Sequence, residues 1–185
     1  MEEDSRAGHF LIIDDLQDNA RQQAYKQLRQ AHTYIEQFHS KDDSTNMPVP
    51  GGLIHRWVGL LFIPDATVAQ TLAVLWDYDN HKNIYKPYVR NSRLLERNGN
   101  ESKTYLQLYK KSLITVVLNA NCDITDTQFT STRAQTKSYS TRIAEVANQG
   151  KPDEHEVQVG MDHGNVWRLY TYWRIEEKGA VCISR

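Results

Sequence analysis

From Tyr88 onward the sequence is a succession of strand-length runs punctuated by turns, and this constrains the fold more than any other feature. Asn98-Gly99-Asn100 separates residues 88–97 from 103–110. Asn-Gly favours the positive dihedrals of a tight turn, so the two runs read as a hairpin. Residues 113–124 form a further strand, and 128–146 a long one with room for a bulge. Residues 147–164, rich in glycine, proline and acid, are a loop, and 166–176 and 180–184 pair around Lys178-Gly179. Upstream, 54–63 is an apolar strand carrying Trp57, Val58, Leu60, Leu61 and Phe62, ended by Pro64. Asp65 can then cap a helix to about Tyr78 on which Val68, Leu72 and Leu75 align. Hairpin-connected strands with segregated helices argue for an α+β fold, a curved antiparallel sheet with helices on one side.

An amphipathic helix precedes this array. Leu16, Ala20, Ala24, Leu28, Ala31, Ile35 and Phe38 recur at steps of three or four, with Asp14 or Asp15 as its N-cap. His32 and His39 lie on or near it, two turns apart, which is too far for shared metal ligation. The stretch SKDDSTNMPVPGG, residues 40–52, reads as a linker. The expected organisation is an N-terminal extension over 1–50 and a main domain over 51–185.

Lysine plus arginine is 22 and aspartate plus glutamate 23, a net charge of −1, so no nucleic-acid partner is expected. No apolar run reaches the roughly 18 residues that a transmembrane helix needs. The opening MEEDSRAGH is acidic and lacks the apolar stretch of a signal peptide, so a cytoplasmic location is the expectation. Cys122 and Cys182 form no C-x-x-C pair and read as buried free thiols, with a disulfide open only if their strands are neighbours.

Few motifs point to chemistry. Asp77-Tyr78-Asp79 ends a helix and is followed by His81 and Lys82, not by the acidic ligand and glycine of a calcium loop. Glu154-His155-Glu156, with Asp162-His163 nearby, offers acid–base groups in a solvated loop. No G-x-S-x-G, H-E-x-x-H or P-loop pattern occurs, and no metal or cofactor is implied. The stretch that opens on Lys82 and closes on Lys111 holds eight basic and two acidic residues, interleaved with Tyr85, Tyr88, Tyr105 and Tyr109. It reads as a solvated hairpin face, or as a surface for anionic partners.

The strand faces are more specific. Trp167, Leu169, Thr171, Trp173 and Ile175 share one face of the last long strand, and Arg168, Tyr170, Tyr172 and Arg174 the other. Ile114, Val116, Leu118, Ala120, Cys122 and Ile124 alternate inward on a central strand. Thr132, Ala134, Thr136, Ser138 and Ser140 form a face of small side chains with Arg142 at its end. Small residues opposite bulky aromatics leave space for a ligand, although the same stripe can simply face water.

The strings GGLIHRWVGLLFIP, LAVLWDYDNHKNIYKPYV, TRIAEV and VWRLYTYWRIEE, with the order strand, helix, antiparallel sheet, resemble the START-like, helix-grip superfamily (SRPBCC). That superfamily includes pollen allergens, lipid-transfer domains and polyketide cyclases. The resemblance covers residues 51–185 and is narrowest to a bacterial branch, where it is diagnostic of a fold and not of a reaction. It implies a sheet wrapped around a long C-terminal helix with a hydrophobic pocket between them. That helix is missing from a sequence ending at Arg185, so the chain is a fragment or variant, or the N-terminal helix covers the sheet instead. An uncovered face would invite self-association. The implied function is binding of a small hydrophobic or lipid-like molecule on the concave face. Trp167 and Trp173 would form the apolar wall, Tyr105 and Tyr109 amphipathic contacts, and Arg142 an anchor for an acidic head group. The alternatives are an aromatase/cyclase-type enzyme using Arg142, Tyr105 and His155, and an interaction module using the basic stretch.

Overall fold

The computed structural model describes residues 10–15, 17–30, 33–37, 55, 57–111, 115–158, 160–177 and 181–184. In chain order the elements are α1 (Asp18–Arg29), β1 (Tyr34–Gln37), β2 (Trp57–Ile63), α2 (Val68–Trp76), α3 (His81–Ile84), β3 (Val89–Asn98), β4 (Glu101–Lys111), β5 (Thr115–Thr130), β6 (Arg133–Ala147), β7 (His155–Glu156), β8 (Tyr170–Glu177) and β9 (Val181–Ser184). The strands hydrogen-bond in the order β1-β2-β9-β8-β6-β5-β4-β3, with β7 on β6. The fold is the expected α+β, with an antiparallel sheet and few helices. β5 and β9 are not neighbours in that order, so Cys122 and Cys182 lie on separated strands. No helix among the described residues is long and apolar enough to cross a membrane.

The residues gather into two compact units. One holds the described residues up to Val68, with 129–134 and those from Trp173 onward; the other holds 69–128 and 135–172. In the first, Phe10, Leu11, Ile13, Ala24, Leu28 and Leu60 form a buried core, with Tyr25, Tyr34 and Phe62 packed against it. Ala24 and Leu28, one turn apart, lay α1 against the sheet end formed by β1 and β2. The N-terminal segment is also tied to distant chain. Phe10 meets Phe129 edge-on at 5.6 Å, and the Arg174 guanidinium donates to the Phe10 carbonyl at 3.1 Å.

Two N-terminal expectations are corrected here. The helix ends at Arg29 instead of running on to Phe38, and residues 34–37 form β1, paired from Tyr34 against Leu60 to Gln37 against Trp57. Ile35, which the three-and-four spacing assigns to the apolar stripe, is 64% exposed. Pairing with β2 supplies the backbone hydrogen bonds instead. Nor does Asp14 cap the helix. Its carboxylate accepts from the Leu11 N–H at 3.0 Å and from the Tyr25 hydroxyl at 3.3 Å, while Gln17 occupies the N-cap without a side-chain bond. The linker 40–52, His32, His39 and the Lys178-Gly179 turn lie outside the described residues.

In the second unit the β3–β4 hairpin forms as expected, with Gly99 at φ +58 in its turn, a dihedral that glycine adopts without strain. β4 and β5 pair without interruption from Glu101 against Thr125 to Lys111 against Thr115. Two strand boundaries differ from the sequence reading. β5 continues to Thr130, because Asp126 prolongs the inward alternation of Cys122 and Ile124 and is buried, where a polar run suggests a loop. β8 begins at Tyr170, not Val166. Just before it, Leu169 is held by Ser140, whose N–H donates to the Leu169 carbonyl at 2.9 Å and whose Oγ accepts the Leu169 N–H at 3.0 Å.

Candidate functional site

Successive residues of a strand point to opposite faces, so the β4–β5 register sorts the second unit's side chains into two sets. Thr104 opposite Cys122, Leu106 opposite Ala120 and Leu108 opposite Leu118 share one face; Tyr105 opposite Asn121 and Gln107 opposite Asn119 share the other. The first face is covered. Leu118, Ala120, Cys122 and Ile143 form its buried core, with Leu108, Val116 and Leu169 packed against it. Burial pushes the Cys122 thiol up, away from a reactive thiolate.

The covered face turns polar toward the β3–β4 hairpin. Ser102 and Thr104 lie on it, and Asp126 lies two residues beyond Ile124, the partner of Ser102. Tyr78, from the turn after α2, stands beside Ser102 and Asp126. Burial, reinforced by the Asp126 charge, pushes its hydroxyl up to about 12, so it stays protonated. The Thr136 hydroxyl donates to Asp126 Oδ1 at 2.6 Å. The sequence reading missed Tyr78, Ser102, Thr104 and Asp126 as a group. The one signal available was the parity of Asp126 with Cys122 and Ile124.

On the opposite face, two of the predicted site residues are joined. The Tyr105 hydroxyl donates to Asn119 Oδ1 at 2.8 Å, and Asn119 Nδ2 donates to Glu156 Oε1 at 2.7 Å. Arg142 grips Glu156 through both terminal nitrogens. Gln107 Nε2 also reaches Asn119 Oδ1, at 3.2 Å. The directions of ionisation match these bonds. Hydrogen bonds from Arg142 and then Asn119 hold Glu156 below its ordinary value, while desolvation moves Tyr105 upward. Neither group is thereby poised for proton transfer near neutrality.

The other predicted residues are not drawn into this network. Tyr109 lies under the Arg90 guanidinium, 3.7 Å from its ring centroid. Trp167 is 73% exposed, with the Arg168 guanidinium 5.6 Å from its ring. Trp173 is half-buried on β8 in the first unit. His155 is exposed, its Nδ1 2.8 Å from the Asp153 carbonyl. Of the small-residue stripe, Ala134, Thr136 and Ser140 are buried and Thr132 is exposed.

The interleaved cations and aromatics stack on one another within the fold. Arg93 lies over Tyr105 and Arg97 over Trp76, at 5.1 and 5.0 Å, as Arg90 does over Tyr109. Glu145 anchors the 160–165 loop, accepting from His163 Nδ1 at 2.8 Å and from Asn165 at 3.3 Å. A polar recess of about 160 Å³ near the β3–β4 turn is lined by residues including Glu96, Lys103, Asp123 and Tyr139, and by none of the predicted ligand contacts. Among the described residues no group of His, Cys, Asp and Glu side chains gathers as a metal site.

Two solved structures are similar to this chain in fold. A STAR-related lipid transfer protein from Xanthomonas axonopodis (fragment 25–204) matches with a TM-score of 0.52 at 17% identity, over 75% of this chain and 70% of that one. Human STARD10 matches with a TM-score of 0.50 at 10% identity, over 91% of this chain and 66% of that one. No family model and no curated protein matches the sequence. The chain has a START-like, helix-grip fold, as its sequence resemblance implied.

Proposed function

We propose that this chain binds a small hydrophobic or lipid-like molecule on the concave, covered face of its sheet. The reading is carried by the fold it shares with a protein described as a lipid transfer protein. The buried apolar cluster of Leu118, Ala120, Cys122 and Ile143, with Leu108 packed against it, supports it, because ligand sites of this kind are mostly apolar with a few placed polar groups. Tyr105, Tyr109, Arg142, Trp167 and Trp173 are the contacts proposed from sequence. Of these, Tyr105 and Tyr109 alternate onto the face opposite the covered core and Arg142 is bonded to Glu156 there, so these three would meet a ligand only at the outer face. For Arg142 that role requires an acidic head group to compete with Glu156 for the guanidinium. Native mass spectrometry of the purified chain, followed by solvent extraction, tests the reading. The expected result is a stoichiometric lipid-like adduct, or uptake of a fluorescent fatty alcohol at micromolar concentration by delipidated protein. A clean apo mass combined with no uptake would overturn it.

A further inference from the structure

The polar end of the covered face carries bonding capacity that the chain itself does not use. Tyr78, Ser102, Thr104 and Asp126 are 4%, 3%, 1% and 7% exposed, all more than nine-tenths buried. Yet among the described residues the Tyr78 hydroxyl, Ser102 Oγ, Thr104 Oγ1 and Asp126 Oδ2 have no hydrogen-bond partner, and neither has Trp76 Nε1. Ser102 lies against the Tyr78 hydroxyl without the alignment of a hydrogen bond. Folded proteins leave few buried polar atoms unpaired, so several on one face mark a place completed from outside the chain.

Asp126 decides what can complete it. Its Oδ1 is taken by Thr136, and its Oδ2 is a carboxylate oxygen that only accepts. The missing partner must therefore bring an N–H or O–H. A carboxylate or phosphate would set a second negative charge against Asp126 in a desolvated site, which is strongly unfavourable. Resting on the binding reading above, we propose that Asp126, Ser102, Thr104 and Tyr78 form a subsite for a hydrogen-bond-donating head group, a hydroxyl or amine, on an otherwise apolar molecule. Asp126 Oδ2 accepts from that group. The Tyr78 hydroxyl, which stays protonated, donates back where the head group has a lone pair. The apolar tail runs along Leu106, Leu108, Ala120 and Leu118, which follow on the same face.

The test uses the delipidated full chain and three probes of one tail length, tetradecanol, tetradecylamine and tetradecanoate, below their micellar concentrations. Isothermal titration calorimetry reports binding, with the intrinsic fluorescence of the four tryptophans, among them Trp76 two residues from Tyr78, as a check. The alcohol or the amine should bind at least about tenfold tighter than the acid, as expected for a hydrogen bond to a charged group. Which of the two binds tighter identifies the head group. Asp126→Asn should erase most of this preference. Thr104→Val, which removes a hydroxyl at constant shape, should raise the melting temperature of the unliganded protein and weaken the preferred probe about threefold or more. Where Asp126→Asn folds poorly, the Thr104→Val affinity decides the outcome. Equal affinity for all three probes, or a preference for the acid, overturns the donor subsite and leaves hydrophobic binding standing. An unchanged affinity in Thr104→Val, with water completing the cluster, overturns it too. Failure of all three probes to bind overturns the subsite together with the reading it rests on.

Discussion

Arg133 and Glu176 bring two strands of the first unit together beside Phe10, and removing one partner has a computable consequence. Arg133 Nε donates to Glu176 Oε1 at 2.6 Å, and the Arg133 guanidinium stands 5.7 Å from the centroid of the Phe10 ring. The Glu176 side chain is 3% exposed and that of Arg133 34%. Arg133→Met removes the cation beside Phe10 that is bonded to a buried carboxylate. Breaking a fully buried pair costs about 3–5 kcal/mol. Water reaches one side of this pair, so the loss should be about 2–3 kcal/mol. Glu176→Gln leaves a cation at the rim, where it can turn to solvent, and should cost about 1 kcal/mol. The double variant Arg133→Met with Glu176→Gln, which leaves no charge at the pair, should lose only about 1.5–2 kcal/mol, a coupling of roughly 1.5–2 kcal/mol against the two single losses.

With a urea m-value of about 2 kcal/mol/M, the first variant should move the unfolding midpoint by about 1 M. Circular dichroism reads the transition, and hydrogen exchange at the amides of β2 and of β8 from Trp173 onward reports the first unit by itself. Single-variant losses that add to the double-variant loss within about 0.5 kcal/mol would show that the pair is not an energetic unit. The assignment of Glu176 as a buried, Arg-compensated charge would then be wrong.

The remaining predictions concern the outer-face network and the first unit's core. Because Arg142 and then Asn119 hold Glu156 below its ordinary value, its contribution to stability is present above the usual glutamate range. That contribution is lost as pH falls through the depressed value, so the stability–pH slope on the acid side should flatten in Glu156→Gln. Leu28→Ala, at a fully buried position in the first unit, should cost about 2–4 kcal/mol in urea unfolding, and a loss under about 1 kcal/mol would show that α1 does not belong to that core.

The strand run, the Asn98-Gly99 turn and the helix carrying Leu72 were legible because they depend on local chemistry: turn dihedrals and the period of the apolar side chains. The stretch 34–37 was not legible as β1. Its three-and-four spacing continues the preceding helix, and only the availability of β2 as a hydrogen-bond partner makes it extended. The same limit applies to the site. Tyr105 and Arg142 were singled out from sequence, but their linkage through Asn119 and Glu156 depends on β7 folding back onto β6.

Sequence by itself determined the α+β class, the hairpin order and a START-like pattern, since periodicity and turn residues act over a few positions. Tertiary structure alone decided which polar side chains are buried. Asp126 looks like a loop residue beside Thr125 and Thr127, and Ser102 and Thr104 like ordinary strand polars. Burial and lack of partners are properties of what packs above a residue. Here that is Tyr78, a residue 48 positions away from Asp126 that no local rule connects to it.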